Sequence, residues 1–261
     1  TTAASQLVTV KAPSTAPAGI SVTNDNTCEG NVKTLTVQGG SLRDGAIWNW
    51  STDAGFSTSA GTGLSVVVDP VVSTTYYVRA EGDCNTTASV SQLVTVKVPS
   101  TAPAGIDVTD DNTCQGTAKT LTVQGGSLGD GADWVWSTDA AFSTTVGAGA
   151  SVVVDPAVST TYYVRAEGDC NTTASVSQLV TVKAPSTAPA GIDITNDNTC
   201  QGTDKTLTVL GGSLGSGATW EWYSDAAFTV SAGTGVSIVV DPATSTTYYV
   251  RAEGDCNTTA A

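Results

Sequence analysis

Three observations predict an all-β chain: three tandem immunoglobulin-like β-sandwich domains arranged head to tail. Aligned residues recur at a fixed spacing of 86 through all 261 residues, without insertion or deletion. Each copy reads as short strands bounded by Gly, Pro, Asn and Asp turns. No helical periodicity interrupts them. Six or seven such strands in one copy match the strand number of an Ig-like sandwich.

The repeat is clearest in the rare residues. Cys28, Cys114 and Cys200 form one series, and Cys84, Cys170 and Cys256 a second. Trp48 and Trp50 recur as Trp134 and Trp136, then as Trp220 and Trp222. Fixed self-similarity of this kind marks one supersecondary unit used repeatedly.

The middle copy justifies each element in order. The linker PSTAPAG leads to the strand IDVT and the polar loop DDNTCQGTA. KTLTVQ is a second strand, with Leu121 and Val123 facing inward between threonines. The turn GGSLGDGA precedes DWVWSTDAAF, where Trp134 and Trp136 share a face because they sit two apart. A Gly-rich stretch leads to SVVVDP, then STTYYVRAEG, the loop DCNTTA and the last strand SVSQLVTVKA. Of Tyr162 and Tyr163, one packs inside and the other points out, at a position like the tyrosine corner of Ig folds. All six tryptophans are core aromatics on this reading. The competing reading, an aromatic platform for sugar, is weaker because a unit this small needs both indoles inside.

Composition narrows function. There is no histidine, which removes Ser-His-Asp and Cys-His catalysis and the commonest metal ligand. Ten Lys+Arg against 24 Asp+Glu give a net charge of −14. An acidic chain without a basic cluster is a poor partner for nucleic acid or an anionic membrane. No apolar run approaches the roughly 20 residues that span a bilayer. Six paired cysteines in a chain without methionine point to an oxidising compartment. No two cysteines are close enough in sequence for a zinc motif. No signal peptide is visible at Thr1, so the expectation is a mature, processed or excerpted chain.

The motifs CQG, KTLTVQGG, WVW, VVVDP, STTYYVRAEGDCNTT and LVTVK resemble the tandem Ig-like repeats of very large Bacteroidota surface proteins, gliding adhesins among them. The resemblance covers the whole chain three times over. It implies a secreted protein that serves as stalk, adhesin or filament.

Two cysteine pairings compete. The simple one places a bridge in each domain: Cys28–Cys84, Cys114–Cys170 and Cys200–Cys256. In Ig topology, however, Cys28 precedes strand B and Cys84 follows strand F, and B and F run the same way. A dozen residues at about 3.3 Å each then separate them by roughly 40 Å, against a Cα limit of about 7 Å. The second pairing joins neighbouring domains, Cys28–Cys170 and Cys114–Cys256. It leaves Cys84 and Cys200 to pair between subunits. An unusual strand order would restore the first.

The repeat is also cut in an informative place. LVTVK closes the first two copies at 93–97 and 179–183, while the third stops at Ala261 after CNTT. The matching strand stands at residues 5–13 as SQLVTVKAP. The expected organisation is therefore a donor strand (1–12), Ig-like domains at 13–98 and 99–184, and a third at 185–261 lacking its last strand. Either the chain is a window on a longer array, or residues Leu7, Val8, Thr9 and Val10 fill the open groove of another copy.

Other signals are weaker. The Asp- and Asn-rich loops around Cys28, Cys114 and Cys200 have the oxygen ligands for Ca²⁺ but not EF-hand spacing, and Asx-turn chemistry explains them better. Glu81 and Asp83, with their equivalents, form a second acidic loop that could share such an ion at a domain junction, a reading not adopted. Asn85, Asn171 and Asn257 sit in N-T-T sequons that read as chance. Lys11, Lys97 and Lys183 read as solvated edge lysines rather than isopeptide donors, and Asp69, Asp155 and Asp241 initiate a turn before proline.

No catalytic residues, metal site or cofactor are expected. The expected function is that of a structural subunit of an extracellular filament or cell-surface adhesin, polymerising head to tail with copies of itself by donor-strand complementation and disulfide staples. A surface or glycan ligand is an additional expected partner; nucleic acid and membrane insertion are not. The alternatives are an excerpt of a long non-polymerising stalk, or spacer or carbohydrate-binding modules of a secreted enzyme.

Overall fold

The structure, a computed structural model, describes residues 3–261, and every regular element among them is a β-strand. Cα packing divides it into two compact units. One holds residues up to Ala102 together with Gly126–Trp134 and Ala166–Ala174; the other holds Pro103–Gly125, Val135–Arg165 and Ser175–Ala261.

Repeat 1 contains β1 (Gly19–Thr23), β2 (Thr27–Cys28), β3 (Lys33–Gln38), β4 (Ile47–Ser51), β5 (Ser59–Thr62), β6 (Ser65–Val68), β7 (Thr74–Glu81), β8 (Val90–Val94) and β9 (Val96–Lys97). One sheet runs β1–β3–β6 and the other β5–β4–β7–β8, with antiparallel neighbours. The period-2 pattern of KTLTVQ puts Leu35 and Val37 in the core while the threonines between them stay partly exposed. TTYYVRAE does the same in β7, burying Tyr76, Val78 and Ala80. Two apolar faces from different sheets close on each other, with Trp48 and Trp50 between them.

All six tryptophans are buried, and Trp50, Trp136 and Trp222 are fully enclosed. Each of these three donates its indole N–H to a glycine carbonyl, Gly63, Gly149 or Gly235, at 2.8–2.9 Å. The polar edge of the ring is thus satisfied inside the core. Indoles buried this way offer no face to a sugar.

Two-residue strands were not foreseen in the sequence. β2 pairs in parallel with β9, setting Thr27 opposite Val96 and Cys28 opposite Lys97. In repeat 2, β11 (Thr113–Cys114) pairs the same way with β18 (Val182–Lys183).

Repeat 2 keeps both sheets. Repeat 3 keeps the first, β19 (Gly191–Thr195), β20 (Lys205–Leu210) and β23 (Ser237–Val240). Its second sheet has three strands, β22 (Ser231–Thr234), β21 (Thr219–Tyr223) and β24 (Tyr249–Glu253), where repeats 1 and 2 have four. β24 begins at Tyr249, whereas β7 begins at Thr74, three positions earlier in the repeat. Thr74, Thr75 and Tyr76 pair with Val94, Leu93 and Gln92 of β8. Thr246, Thr247 and Tyr248 have no such partner and leave the ladder.

The turn after each tryptophan strand is organised by one aspartate. Asp139 accepts hydrogen bonds from the Ala141, Ser143 and Thr144 amides and from the Ser137 and Ser143 hydroxyls. This holds Phe142 at a φ of 58°, an unusual backbone for a bulky residue, with Arg165 stacked 3.9 Å above its ring. The Ser143 amide, ahead of the other donors, pulls the Asp139 carboxyl from 3.8 down to about 2.

Because that pKa is depressed in the folded state, its contribution to stability is complete above 3.8 and disappears as the pH falls through about 2. Asp139→Asn should lower the urea midpoint at pH 6. The gap between variant and parent should close steadily as the pH is taken down to 2.

Candidate functional site

The first site is a junction built around a lysine. In the first compact unit, Lys97 ends the last strand of repeat 1 and lies opposite Cys28 in the parallel ladder. Its carbonyl accepts the Glu29 amide at 3.2 Å and lies 3.7 Å from the sulfur of Cys170. Its ammonium meets Asp169 at 2.6 Å. One residue therefore touches both arms of a disulfide: Cys28 and Cys170 are bonded, with Cα atoms 5.5 Å apart.

The second compact unit repeats the arrangement. Lys183 lies opposite Cys114, its carbonyl is 3.5 Å from the Cys256 sulfur, and its ammonium meets Asp255 at 2.8 Å. Cys114 and Cys256 are bonded, Cα to Cα 5.4 Å. Cys84 and Cys200 are free and exposed. The topology explains the pairing: β2 and β11 bring the first cysteine beside the outgoing strand, and the second comes from the loop onto which that strand's extension docks.

The segment after each lysine is docked, contrary to its reading as a linker. The Val98 amide donates to Asp130 at 2.6 Å, and the Ser100 amide and carbonyl are clamped by the side-chain amide of Asn171 at 2.8 and 2.9 Å. Asn257 clamps Ser186 identically, and Asn85 clamps Ser14. The N-T-T asparagines are thus structural clamps. The signal available in the sequence was their recurrence beside cysteine. The lysines likewise sit in ion pairs rather than standing free as solvated edge residues.

Gly129 allows the close docking. A Cβ there would lie 2.1 Å from the Val98 carbonyl oxygen, and one at Gly215 would lie 2.3 Å from that of Ala184. Repeat 1 has Arg43 at this position. Energetically the disulfide dominates the junction, contributing about 2–4 kcal/mol. A part-exposed Lys–Asp pair gives about 0–1 kcal/mol.

Residues 11–14 form half of the same junction on repeat 1. Lys11 pairs with Asp83 and the Ala12 amide donates to Asp44. The hydrogen bond and charge of Asp83 raise the Lys11 pKa, and Lys11 lowers that of Asp83. The free Cys84 stands next to them in sequence. Leu7, Val8 and Val10 are more than three-quarters exposed, and Thr9 is exposed with no strand partner.

The second site is the open edge of repeat 3. A cavity of 580 Å³ is lined by residues including Asp197, Lys205, Leu207, Ser245 and Tyr248. A smaller one of 270 Å³ lies beside Ile192, Tyr248 and Val250. In repeat 1 the corresponding space is occupied by β8 and β9. Val94 is fully buried there and Val96 nearly so, while Leu93 is half exposed. The Thr95 amide and hydroxyl donate to Asp25 at 2.7 and 2.8 Å, and the Val96 amide donates to Ser73 at 3.0 Å. Burial raises the Asp25 pKa, but the Thr95 donors outweigh it and leave the carboxyl below its ordinary value. That engagement gives Asp25 a structural role in holding the last strand.

The edge of repeat 3 presents the same groups: Asp197 for Asp25, Ser245 for Ser73 and Lys205 for the fully buried Lys33. Lys205 is only partly buried, where Lys33 and Lys119 are fully enclosed. Segment 5–11 is identical in sequence to 91–97 and 177–183. By that correspondence Val8 matches the fully buried Val94 and Val180, Val10 matches the buried Val96 and the partly buried Val182, Thr9 matches the aspartate-bound threonine, and Leu7 matches a half-exposed residue.

These features define a tandem β-sandwich protein with disulfide-linked repeats, in which no helix among the described residues is long and apolar enough to cross a membrane. The chain belongs to the Ig-like domain family described as CHU_C associated, whose model matches residues 15–98, 101–184 and 187–261. The tandem repeat type of Bacteroidota surface proteins that the motifs resemble is therefore the right one. Ig-like domains of this kind are typically non-catalytic, and their disulfides suit an extracellular setting.

Solved structures similar to it include the mouse nectin-like molecule 4 ectodomain, at 14% identity over 66% of each chain, just under two thirds, with a TM-score of 0.36. The chicken CNTN1 FN1–FN3 domains match at 14% identity over 95% of this chain and 96% of that one, TM-score 0.34. Sidekick-1 immunoglobulin domains 1–5 match at 11% over 92% of this chain and 56% of that one, TM-score 0.42. Likeness at this level adds nothing about function. A search of curated proteins finds no match.

Alkylating the unreduced, denatured chain with iodoacetamide should label Cys84 and Cys200 alone. Non-reducing peptide mapping should recover a Cys28 peptide linked to a Cys170 peptide. Replacing that pair by serine should cost about 2–4 kcal/mol in denaturant unfolding.

Proposed function

We propose that the chain is a non-enzymatic structural subunit of a secreted bacterial surface filament. In this reading repeat 3 of one copy takes the SQLVTVK segment, residues 5–11, of a second copy as its missing strand, and Cys84 and Cys200 join the two copies. The observation that carries the proposal is the open edge of repeat 3. It keeps the groups that hold this same heptapeptide in repeats 1 and 2, while residues 5–11 lie exposed without a sheet partner.

Physical magnitudes support capture. Burying Val8 and Val10 contributes about 1.5–3 kcal/mol each. Association costs about 4–15 kcal/mol, so ladder hydrogen bonds at about 0.5–1.5 kcal/mol each must supply the remainder. A donor at one end and an acceptor at the other make a heterologous contact, which propagates into an open polymer rather than closing a pair. Any adhesive ligand would bind outside the core, since the tryptophans are unavailable to it.

Deleting residues 1–12 should leave soluble monomers by electron microscopy and light scattering; filaments from the truncated chain would refute the donor strand. The truncated chain should bind a synthetic peptide of residues 3–12. Asp197→Ala should weaken that binding at least tenfold, because it removes the acceptor of two strand hydrogen bonds, one of them the backbone amide of Thr9.

A further inference from the structure

We infer that the captured strand also templates the covalent link: insertion of residues 5–11 comes first and creates the geometry in which Cys200 of one copy reaches Cys84 of the next. This rests on the donor-strand reading above and concerns the order and control of its two steps.

The argument starts from the two finished junctions. Cys28 and Cys114 sit in two-residue strands that pair, among the described residues, with Val96–Lys97 and Val182–Lys183, the ends of the inserted heptapeptide. The lysine carbonyl faces the second cysteine, 3.7 Å from Cys170 and 3.5 Å from Cys256. The lysine ammonium anchors the aspartate preceding that cysteine. Each finished disulfide is thus assembled across one lysine residue.

The unfinished pieces carry complementary halves of this arrangement. Lys11 already holds Asp83, beside the free Cys84. In repeat 3, Thr199 and Cys200 belong to no strand, and no lysine lies opposite them. Thr27 and Cys28 owe their regular conformation to pairing with the outgoing strand. When residues 5–11 of a second copy enter the groove, Val10 and Lys11 fall opposite Thr199 and Cys200. The same Lys11 brings its own Cys84 to the other side. Without the strand, Cys200 has no backbone ladder to fix it and Cys84 has nothing to meet.

The chemistry balances with a small-molecule disulfide as oxidant. A Cys84 thiolate attacks one sulfur of that disulfide, forming a mixed disulfide and releasing a thiolate. The Cys200 thiolate of the neighbouring copy then attacks the Cys84 sulfur and displaces the second thiolate. Two electrons pass to the small disulfide, and the two cysteine protons leave to solvent or to the released thiolates.

The test uses the full chain, with both internal disulfides formed and Cys84 and Cys200 as thiols, incubated with glutathione disulfide. Covalent multimers are followed on non-reducing gels and filaments by electron microscopy. Two variants separate the steps: Val8→Asp with Val10→Asp, which changes only exposed side chains and leaves the repeats intact, and Cys84→Ser with Cys200→Ser. The valine variant should lose filaments and cross-link at least tenfold more slowly than the parent. The serine variant should still form filaments, dispersed by denaturant where the parent's resist it.

Cross-linking of the valine variant at the parent rate, with filaments lost, would overturn templating while leaving the donor strand standing. Failure of the serine variant to assemble would overturn the order, because the disulfide would then be required first. Normal filaments from the valine variant would overturn the donor-strand reading itself, and templating with it.

Discussion

An open sheet edge is the constraint on which the rest of this molecule depends. Repeats 1 and 2 are each closed by the strand SQLVTVK, which in repeat 1 pairs with β7, buries Val94 and Val96, and engages Asp25 and Ser73. Where that strand is present, Lys33 is fully enclosed and the neighbouring cysteine loop is held in a ladder. In repeat 3 the sheet is one strand short, β24 starts late, and the groove stands open. These differences share one cause, since backbone groups and apolar side chains that lose a strand lose their hydrogen bonds and cover together.

The same strand links folding to cross-linking. It ends on the lysine that sits between the two cysteines of a disulfide, so the covalent bond forms where the strand stops. The residues that follow are clamped at once by an asparagine beside the second cysteine. A junction built from a disulfide, a two-point amide clamp and a weak ion pair resists separation mainly through the covalent bond. The polar contacts set its direction. Hydrogen bonds to backbone groups are directional, whereas burial of small apolar areas is not.

Much of this was legible in the sequence. Tryptophans two apart had to share a face, and the alternation in KTLTVQ had to put Leu35 and Val37 inward, because side chains on a strand alternate, while which tyrosine of each pair turns inward, Tyr76 in repeat 1, came from the structure. Other features were not legible. The proline-containing segments read only as linkers, yet Ser14, Ser100 and Ser186 are among the few buried polar residues. The sequons looked accidental, yet their asparagines hold those serines. No local pattern reveals such contacts, because clamp and clamped residue are 71 positions apart.

The sequence by itself determined the repeat, the β-sandwich class, the buried tryptophans and the absence of histidine chemistry. Each follows from composition or from periodicities of 2 and 86, which need no knowledge of the third dimension. For the cysteines it left two pairings open, since spacing limits reach but does not choose a strand order. Only the tertiary structure decided that Cys28 meets Cys170 and Cys114 meets Cys256, through parallel ladders of two residues that no propensity predicts. It also decided that Lys97 and Lys183 lie between them. The physical reason is that a pairing 142 residues apart is set by which loops the folded sheets bring within bonding distance.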